Sequence, residues 1–361
     1  MNGEMEMTQQ PMKVRELGMI IGTLPTGVNN CITDVAGVQV GHVTLDKPMP
    51  DGEYIATGVT AILPHSGNLF REKVAAASYV INGFGKTTGL IQLDELGMLE
   101  SPIMLTNTFS VPAVTQGALR WMLGQTPEIG DTTGTLNVVT GECNDGRLNS
   151  IRLLAVTEEH ARQAIDAASA APAAEGAVGA GKGMICFGYK GGIGSASRRI
   201  ELETETFTLG CLVLSNFGRR EDFAADRYCR GEKTSMNDLP EPADGSIMII
   251  LATDAPLDSR QLKRIAKRAG AGLACTGSHY SNGSGDIVIV FSTAHRFAHQ
   301  SEVPDEQVRV LRDEHPVMNT LFQAAAEVTE EAILNSLSQS EETTGRNGLT
   351  VVPAPLLPCS M

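Results

Sequence analysis

The sequence predicts an α/β fold arranged in layers. From Ala56 onward β-prone runs alternate with helical ones, and the stretch from Ser246 to Thr293 reads strand, helix, strand. A long helical pattern, about Pro316 to Leu337, then closes the chain. With 361 residues and 42% hydrophobic content the chain can bury a large core, as one large domain or two ordinary ones.

Before Ala56, Pro, Gly, Asn and Asp punctuate short β-prone pieces such as Val38 to Leu45. "TGVTAILPH" follows as a strand, "TTGLIQLDELGML" as a helix and "SPIMLTNT" as a strand. In the helix "SVPAVTQGALRWML", Ser110 stands at the cap position and Pro112 in the first turn. "TLNVVTG" is a strand running into the polar turn "ECNDGRLN". Thr157 caps an Ala-rich helix predicted over 157–174. A glycine-rich stretch leads to "TFTLGCLVLSN", a strand ending at Asn216. Residues 217–245 carry much charge and no sustained period, the mark of a functional or disordered loop.

Beyond that loop, Ser246 to Thr253 has the continuous apolar pattern of a buried strand. Asp258 to Leu273 sets Leu262, Ile265, Ala266, Ala269 and Leu273 on one helix face, and "DIVIVFST" is the next strand. Such a crossover makes its two strands parallel, so Ser246 and the turn carrying Ser284 and Asp286 meet at one sheet edge. The closing helix places Val317, Leu321, Phe322, Ala325, Val328 and Ile333 at helical spacing.

Charge narrows the partners. The 28 basic against 42 acidic residues leave a net charge of −14, which repels phosphate backbones and anionic lipid and argues against nucleic acid and membrane. The start, "MNGEMEMTQQPMKV", has acids where a signal peptide needs bases, and no run reaches the roughly 20 apolar residues of a membrane span. A soluble, cytoplasmic chain is expected. The seven cysteines are odd in number and lack C-x-x-C spacing, which fits reduced thiols better than zinc or disulfides. Of the histidines, His295 and His299 have the i, i+4 spacing to share a helix face around a metal, but without a nearby Glu or Cys they read as a surface pair. No metal or cofactor is expected, so chemistry falls to hydroxyls, carboxylates and amides.

The segment "GAVGAGKG", 176–183, fits G-x-x-x-x-G-K but has Gly183 where a phosphate loop needs a magnesium-binding hydroxyl. It also follows a helix, so close backbone packing explains its glycines better. In "NGSGD", Ser284 and Asp286 share one side of an extended segment and read as a proton relay or as a polar turn. Glu142 and Asn144 in "GECNDG" form a similar constellation, with solvated turn residues as the plain alternative. Asn216 offers an amide to a developing oxyanion, or simply ends its strand.

Gly-Ser pairs occur at Ser195, Ser246, Ser278 and Ser284, so the dipeptide before Ser246 is not informative by itself. Breaking the bond between Gly245 and Ser246 would give the serine a free α-amine with a reference pKa of about 7.7 to 8.0. Such an amine can act as base for its own hydroxyl. A glycine before the bond tolerates the backbone strain of hydroxyl attack on the preceding carbonyl.

Six blocks in order, "ELGMIIGTLPTGVNNCITDVAGVQVGHVTL", "INGFGKTTGLIQLDELGMLESPIMLTNT", "GAVGAGKGMICFGYKGGIGSASR", "LVLSNFGRRE", "DGSIMIILATDAPL" and "NGSGDIVIVFST", resemble the DmpA-type family of self-processing aminopeptidases. That family includes D-aminopeptidase/esterase and β-peptidyl aminopeptidase members. The resemblance implies an αββα sandwich like that of N-terminal nucleophile hydrolases, with different strand connectivity. It implies one catalytic domain over 1–361, cut into 1–245 and 246–361, and a homotetramer of processed units. It assigns Ser246 as nucleophile, Ser284 and Asp286 as proton-moving partners, Asn216 as oxyanion donor and Glu142 as the acid receiving the substrate's ammonium group. Asn144 stands where a family member has Tyr, which bears on substrate preference. The expected substrates are small peptides, amides or esters with a free amino group. The rivals are an acyltransferase of the ornithine acetyltransferase type, which uses threonine, and an unprocessed binding protein.

Overall fold

The computed structural model describes residues 11–228 and 245–356. In chain order its elements are β1 (Gln39–Pro48), β2 (Tyr54–Leu63), β3 (Glu72–Gly83), α1 (Leu90–Leu96), β4 (Met98–Leu99), β5 (Ile103–Asn107), α2 (Val111–Gln125), β6 (Val139–Cys143) and α3 (Glu158–Asp166). There follow β7 (Ile185–Cys186), β8 (Tyr189–Lys190), β9 (Gly192–Glu201), β10 (Thr206–Asn216), α4 (Ala225–Tyr228), β11 (Ser246–Thr253), α5 (Ser259–Cys275), β12 (Gly285–Ala298) and α6 (Val317–Ser338). Cys229, Cys359 and most of the charged loop lie outside the described residues.

Two sheets stack in the middle of the molecule. One has the order β1-β2-β5-β6, the other β4-β3-β12-β11-β10-β9. Alternate residues of the second sheet serve two cores: Met248, Ile250 and Ala252 face the space between the sheets, while Ile247, Ile249 and Leu251 pack against helices α5 and α6. On the far side of the first sheet, Val59, Ala61 and Met104 pack with Val114 and Ala118 of α2 and Ala161 and Ala164 of α3. The layers are therefore α, β, β, α, as expected. Burial on both faces explains why β11 is an unbroken apolar run.

Helix α5 begins at the Asp258 cap, whose carboxylate accepts the Gln261 N–H at 2.7 Å, and its predicted apolar face is buried. A glycine in its last turn, Gly272, lets α6 approach: a Cβ there would lie 2.2 Å from the Ala326 carbonyl oxygen.

The run "VAAASYVI" lies in β3, where Val74 and Ala76 fill the inter-sheet core while Ala75 and Ala77 fill the helix side. Three local expectations need correction. Helix α3 stops at Asp166 instead of 174, since Ser169 turns away to exchange two backbone hydrogen bonds with Val40. Ser110 is already helical and its side chain does not cap α2; Asn107 caps the 3-10 turn Thr108–Ser110 that leads into it, accepting the N–H groups of Phe109 and Ser110 at 3.1 Å each. His295 lies on β12 and binds the Arg309 carbonyl, whereas His299 meets Thr133, so they share no helix face. The "GAVGAGKG" segment is a buried turn whose Lys182 pairs with Asp46, and a Cβ on Gly183 would strike the Ala56 carbonyl at 2.2 Å.

Candidate active site

β11 and β12 run parallel and pair Ser246 with Gly285, while β10 runs antiparallel to β11 and pairs Asn216 with Ser246. Three neighbouring strands thus end at one sheet edge, bringing Asn216, Ser246 and the Ser284–Asp286 turn together. Ser246 is buried, and its Oγ accepts a hydrogen bond from the Gly285 N–H at 3.2 Å. The same N–H also reaches the Gly245 carbonyl oxygen, again at 3.2 Å. One backbone donor therefore touches both the hydroxyl and the carbonyl of the bond between Gly245 and Ser246.

Ser284 Oγ donates to Asp286 Oδ1 at 2.7 Å, while Oδ2 of that buried carboxylate has no protein partner. Burial pushes the Asp286 pKa up to about 6, partly offset by the Ser284 hydroxyl. A carboxyl group near neutrality suits proton transfer. Asn216 is fixed at both ends of its amide: Oδ1 accepts the Ile185 N–H and Nδ2 donates to the Asn144 carbonyl, each at 2.9 Å. An amide nitrogen carries two hydrogens, so one remains for an oxyanion.

Glu142 is buried at the end of β6, where Oε1 accepts the Lys86 N–H at 2.9 Å and Oε2 accepts the Thr108 hydroxyl. Glycines bring it to the site: Glu142 Oε1 and the Gly285 Cα both lie within 4 Å of where a Gly85 Cβ would sit. Asn144 lies on the rim, its Oδ1 occupied by the Gly146 N–H at 2.9 Å. A cleft of about 460 Å³ opens beside Gly245, lined among others by Asn144, Asn216 and Phe217. Burial raises the neighbouring Cys143 thiol well above its usual range and pushes Cys186 up to about 12, so neither is a ready nucleophile.

The family model described as peptidase family S58 matches residues 30–351. The chain belongs to peptidase family S58. As a member it is a hydrolase acting on peptide bonds. It is 40% identical to β-peptidyl aminopeptidase BapA of Sphingosinicella microcystinivorans over 95% of this chain and 89% of the relative. A crystal structure of a Pyrococcus horikoshii protein superposes with a TM-score of 0.88 at 49% identity, covering 95% of this chain and 96% of the other. The L-aminopeptidase D-Ala-esterase/amidase of Ochrobactrum anthropi, described as a prototype for the serine aminopeptidases and a new variant among the Ntn hydrolase fold, gives 0.88 at 36% identity, covering 96% of each chain.

In this S58 peptidase three supporting features escaped the reading of the sequence. The Gly285 N–H is a backbone donor, invisible in side-chain motifs. Gly245 is demanded by packing rather than by strain, because a Cβ there would lie 2.4 Å from Phe217 Cα and 2.6 Å from the Asn216 carbonyl oxygen. Lys190, fully buried, donates to the carbonyls of Gly181, Met184 and Gly191 at 2.9, 2.8 and 2.8 Å. It thereby anchors the ribbon β7–β8, whose Ile185 N–H orients Asn216.

Among the described residues, no group of three His, Cys, Asp or Glu could hold a metal ion, and no helix is long and apolar enough to cross a membrane.

Proposed function

We propose that this chain is a self-processing serine aminopeptidase that releases N-terminal residues from small peptides, amides or esters through an acyl-enzyme on Ser246. The observation that carries the reading is the shared Gly285 N–H, bonded to both Ser246 Oγ and the Gly245 carbonyl. In self-cleavage Ser246 Oγ adds to the Gly245 carbonyl carbon, and the C–N bond breaks as an ester forms. The freed α-amine takes up the hydroxyl proton, with Ser284 and Asp286 passing it on. Water then hydrolyses the ester, leaving Gly245 with a carboxylate and Ser246 as a new N-terminus.

Toward substrate, the Ser246 amine accepts the hydroxyl proton as Oγ attacks and returns it to the departing nitrogen. The Asn216 amide and Gly285 N–H stabilise the oxyanion. Glu142 receives the substrate's ammonium group, which explains a requirement for a free amino end. Serine at 246 speaks against the threonine-dependent acyltransferase. The same reading carries a tetramer of processed units working in the cytoplasm; native mass analysis and cell fractionation test those two points.

A panel of aminoacyl p-nitroanilides covering L-, D- and β-residues tests the activity. Hydrolysis of free-amine substrates is expected, with loss on the order of 10³-fold or more in Ser246→Ala. Retained hydrolysis in that variant would remove Ser246 from its role, and faster acetyl transfer to ornithine than amide hydrolysis would favour the acyltransferase.

A further inference from the structure

A peptide group has two polar ends, and the group joining Ser284 to Gly285 is held at both. Its N–H is the donor that meets Ser246 Oγ and the Gly245 carbonyl oxygen, each at 3.2 Å. Its carbonyl oxygen accepts two hydrogen bonds from the end of β3: from Asn82 Nδ2 at 2.5 Å and from the Phe84 N–H at 3.3 Å. Asn82 Nδ2 also reaches the carbonyls of Ser281 and Asn282, at 3.0 and 3.3 Å, so its two hydrogens serve three oxygens of one turn. The Ser284 N–H closes that turn on the Ser281 carbonyl at 2.9 Å.

The backbone is shaped for this grip. β3 pairs antiparallel with β12, Asn82 opposite Asp286 and Gly83 opposite Gly285, and a bulge leaves Ile81 without a partner on β12 just before them. A bulge bends its strand and re-aims the side chains beside a site. Gly285 must lack a side chain for the two strand ends to meet, since a Cβ there would lie 3.0 Å from both Gly85 Cα and the Phe84 carbonyl oxygen.

We propose that Asn82 is a positioning residue of the reaction: by holding the oxygen of the Ser284–Gly285 peptide it aims and strengthens the N–H on the far side toward the oxyanion. The inference rests on the serine aminopeptidase reading and extends its machinery to β3. Aim follows from planarity, because fixing the oxygen of a trans peptide group fixes the direction of its N–H. Strength follows from polarisation, because a donor on the carbonyl makes the same amide a better donor. The turn that Asn82 grips also presents Ser284 Oγ to Asp286 at 2.7 Å, so one side chain orders both the oxyanion donor and the proton-moving pair.

The test uses Asn82→Leu, which removes the amide, and Asn82→Asp, which keeps its shape but puts an acceptor where the donor stood. Folded protein of either variant should cut more slowly at Gly245, followed by intact mass. Its cut fraction should hydrolyse the aminoacyl p-nitroanilide best cleaved by the wild type with kcat lowered about tenfold or more, at a KM within about twofold. Affinity for the aminoaldehyde of the same residue, whose adduct with Ser246 places an oxygen where the oxyanion forms, should fall in step with kcat. Affinity for the matching amino alcohol, which forms no adduct, should hold. Wild-type kcat in either folded variant overturns the proposal, as does a loss confined to KM or an equal fall in aldehyde and alcohol affinity. In each of those cases hydrolysis by the wild type leaves the aminopeptidase reading standing. A wild type that hydrolyses none of the anilides sinks that reading and this proposal with it.

Discussion

Asp286 combines burial with a hydroxyl partner, and those two influences oppose one another. Burial wins, holding its pKa at about 6 against an ordinary 3.8. Because the folded value lies above the unfolded one, ionising this group destabilises the fold. The deficit is absent below pH 4, grows as pH rises between 4 and 6, and is complete above 6, reaching up to about 3 kcal/mol. Asp286→Asn should therefore melt higher than wild type at pH 7 and equally at pH 3.5, while hydrolysing substrate far more slowly. A lower melting temperature at pH 7 would mean that the carboxylate is structurally satisfied and not held in reserve. The pH profile follows the same sign: turnover should drop as pH falls through about 6, and the variant should lack that limb.

At the scale of elements, the site depends on a ribbon that no motif announces. Lys190 bonds three buried carbonyls, and Lys190→Met removes those three bonds, at about 1 kcal/mol each, while the Met184 N–H, the Gly191 N–H and the Ser340 hydroxyl still serve the same oxygens. A lower melting temperature is expected, with slower cutting at Gly245 and a fall in kcat at nearly constant KM, because Asn216 loses its fixed neighbour. An unchanged kcat in folded protein would separate the ribbon from the oxyanion amide.

Elements with strong periodic signals were legible in the sequence. β10, β11, α5 and α6 lie within a residue or two of where apolar pattern and caps put them, and the crossover rule alone brought Ser246 beside Ser284 and Asp286. What stayed hidden depends on contacts distant in sequence. α3 ends early because Ser169 pairs with Val40. Glu142 reaches the site only through the close approach of Gly85 and Gly285, and the Gly285 donor belongs to the backbone, which leaves no trace in composition.

Across the whole molecule, the proposed cut divides the six-stranded sheet between two chains. β3, β4, β9 and β10 fall in the first fragment, β11 and β12 in the second, so the sheet itself holds the pieces together. A buried ion network adds to this: Arg198 on β9 donates to Glu327 at 2.8 Å and to Glu331 at 2.6 Å on α6, and Arg15 reaches Glu331 at 2.8 Å. Arg198→Met leaves buried carboxylates short of their partner and should cost about 3–5 kcal/mol, read as a lower urea midpoint. An unaltered midpoint would show that the Arg15 contact suffices. The central claim, however, is that Ser246 becomes an N-terminus, and intact mass analysis of freshly purified, active enzyme beside Ser246→Ala tests it most directly. Two masses are expected for the wild type, matching residues 1–245 and 246–361 that co-elute under native conditions, and one uncut chain for the variant. A fully active wild-type enzyme that shows only the uncut 361-residue mass would contradict it.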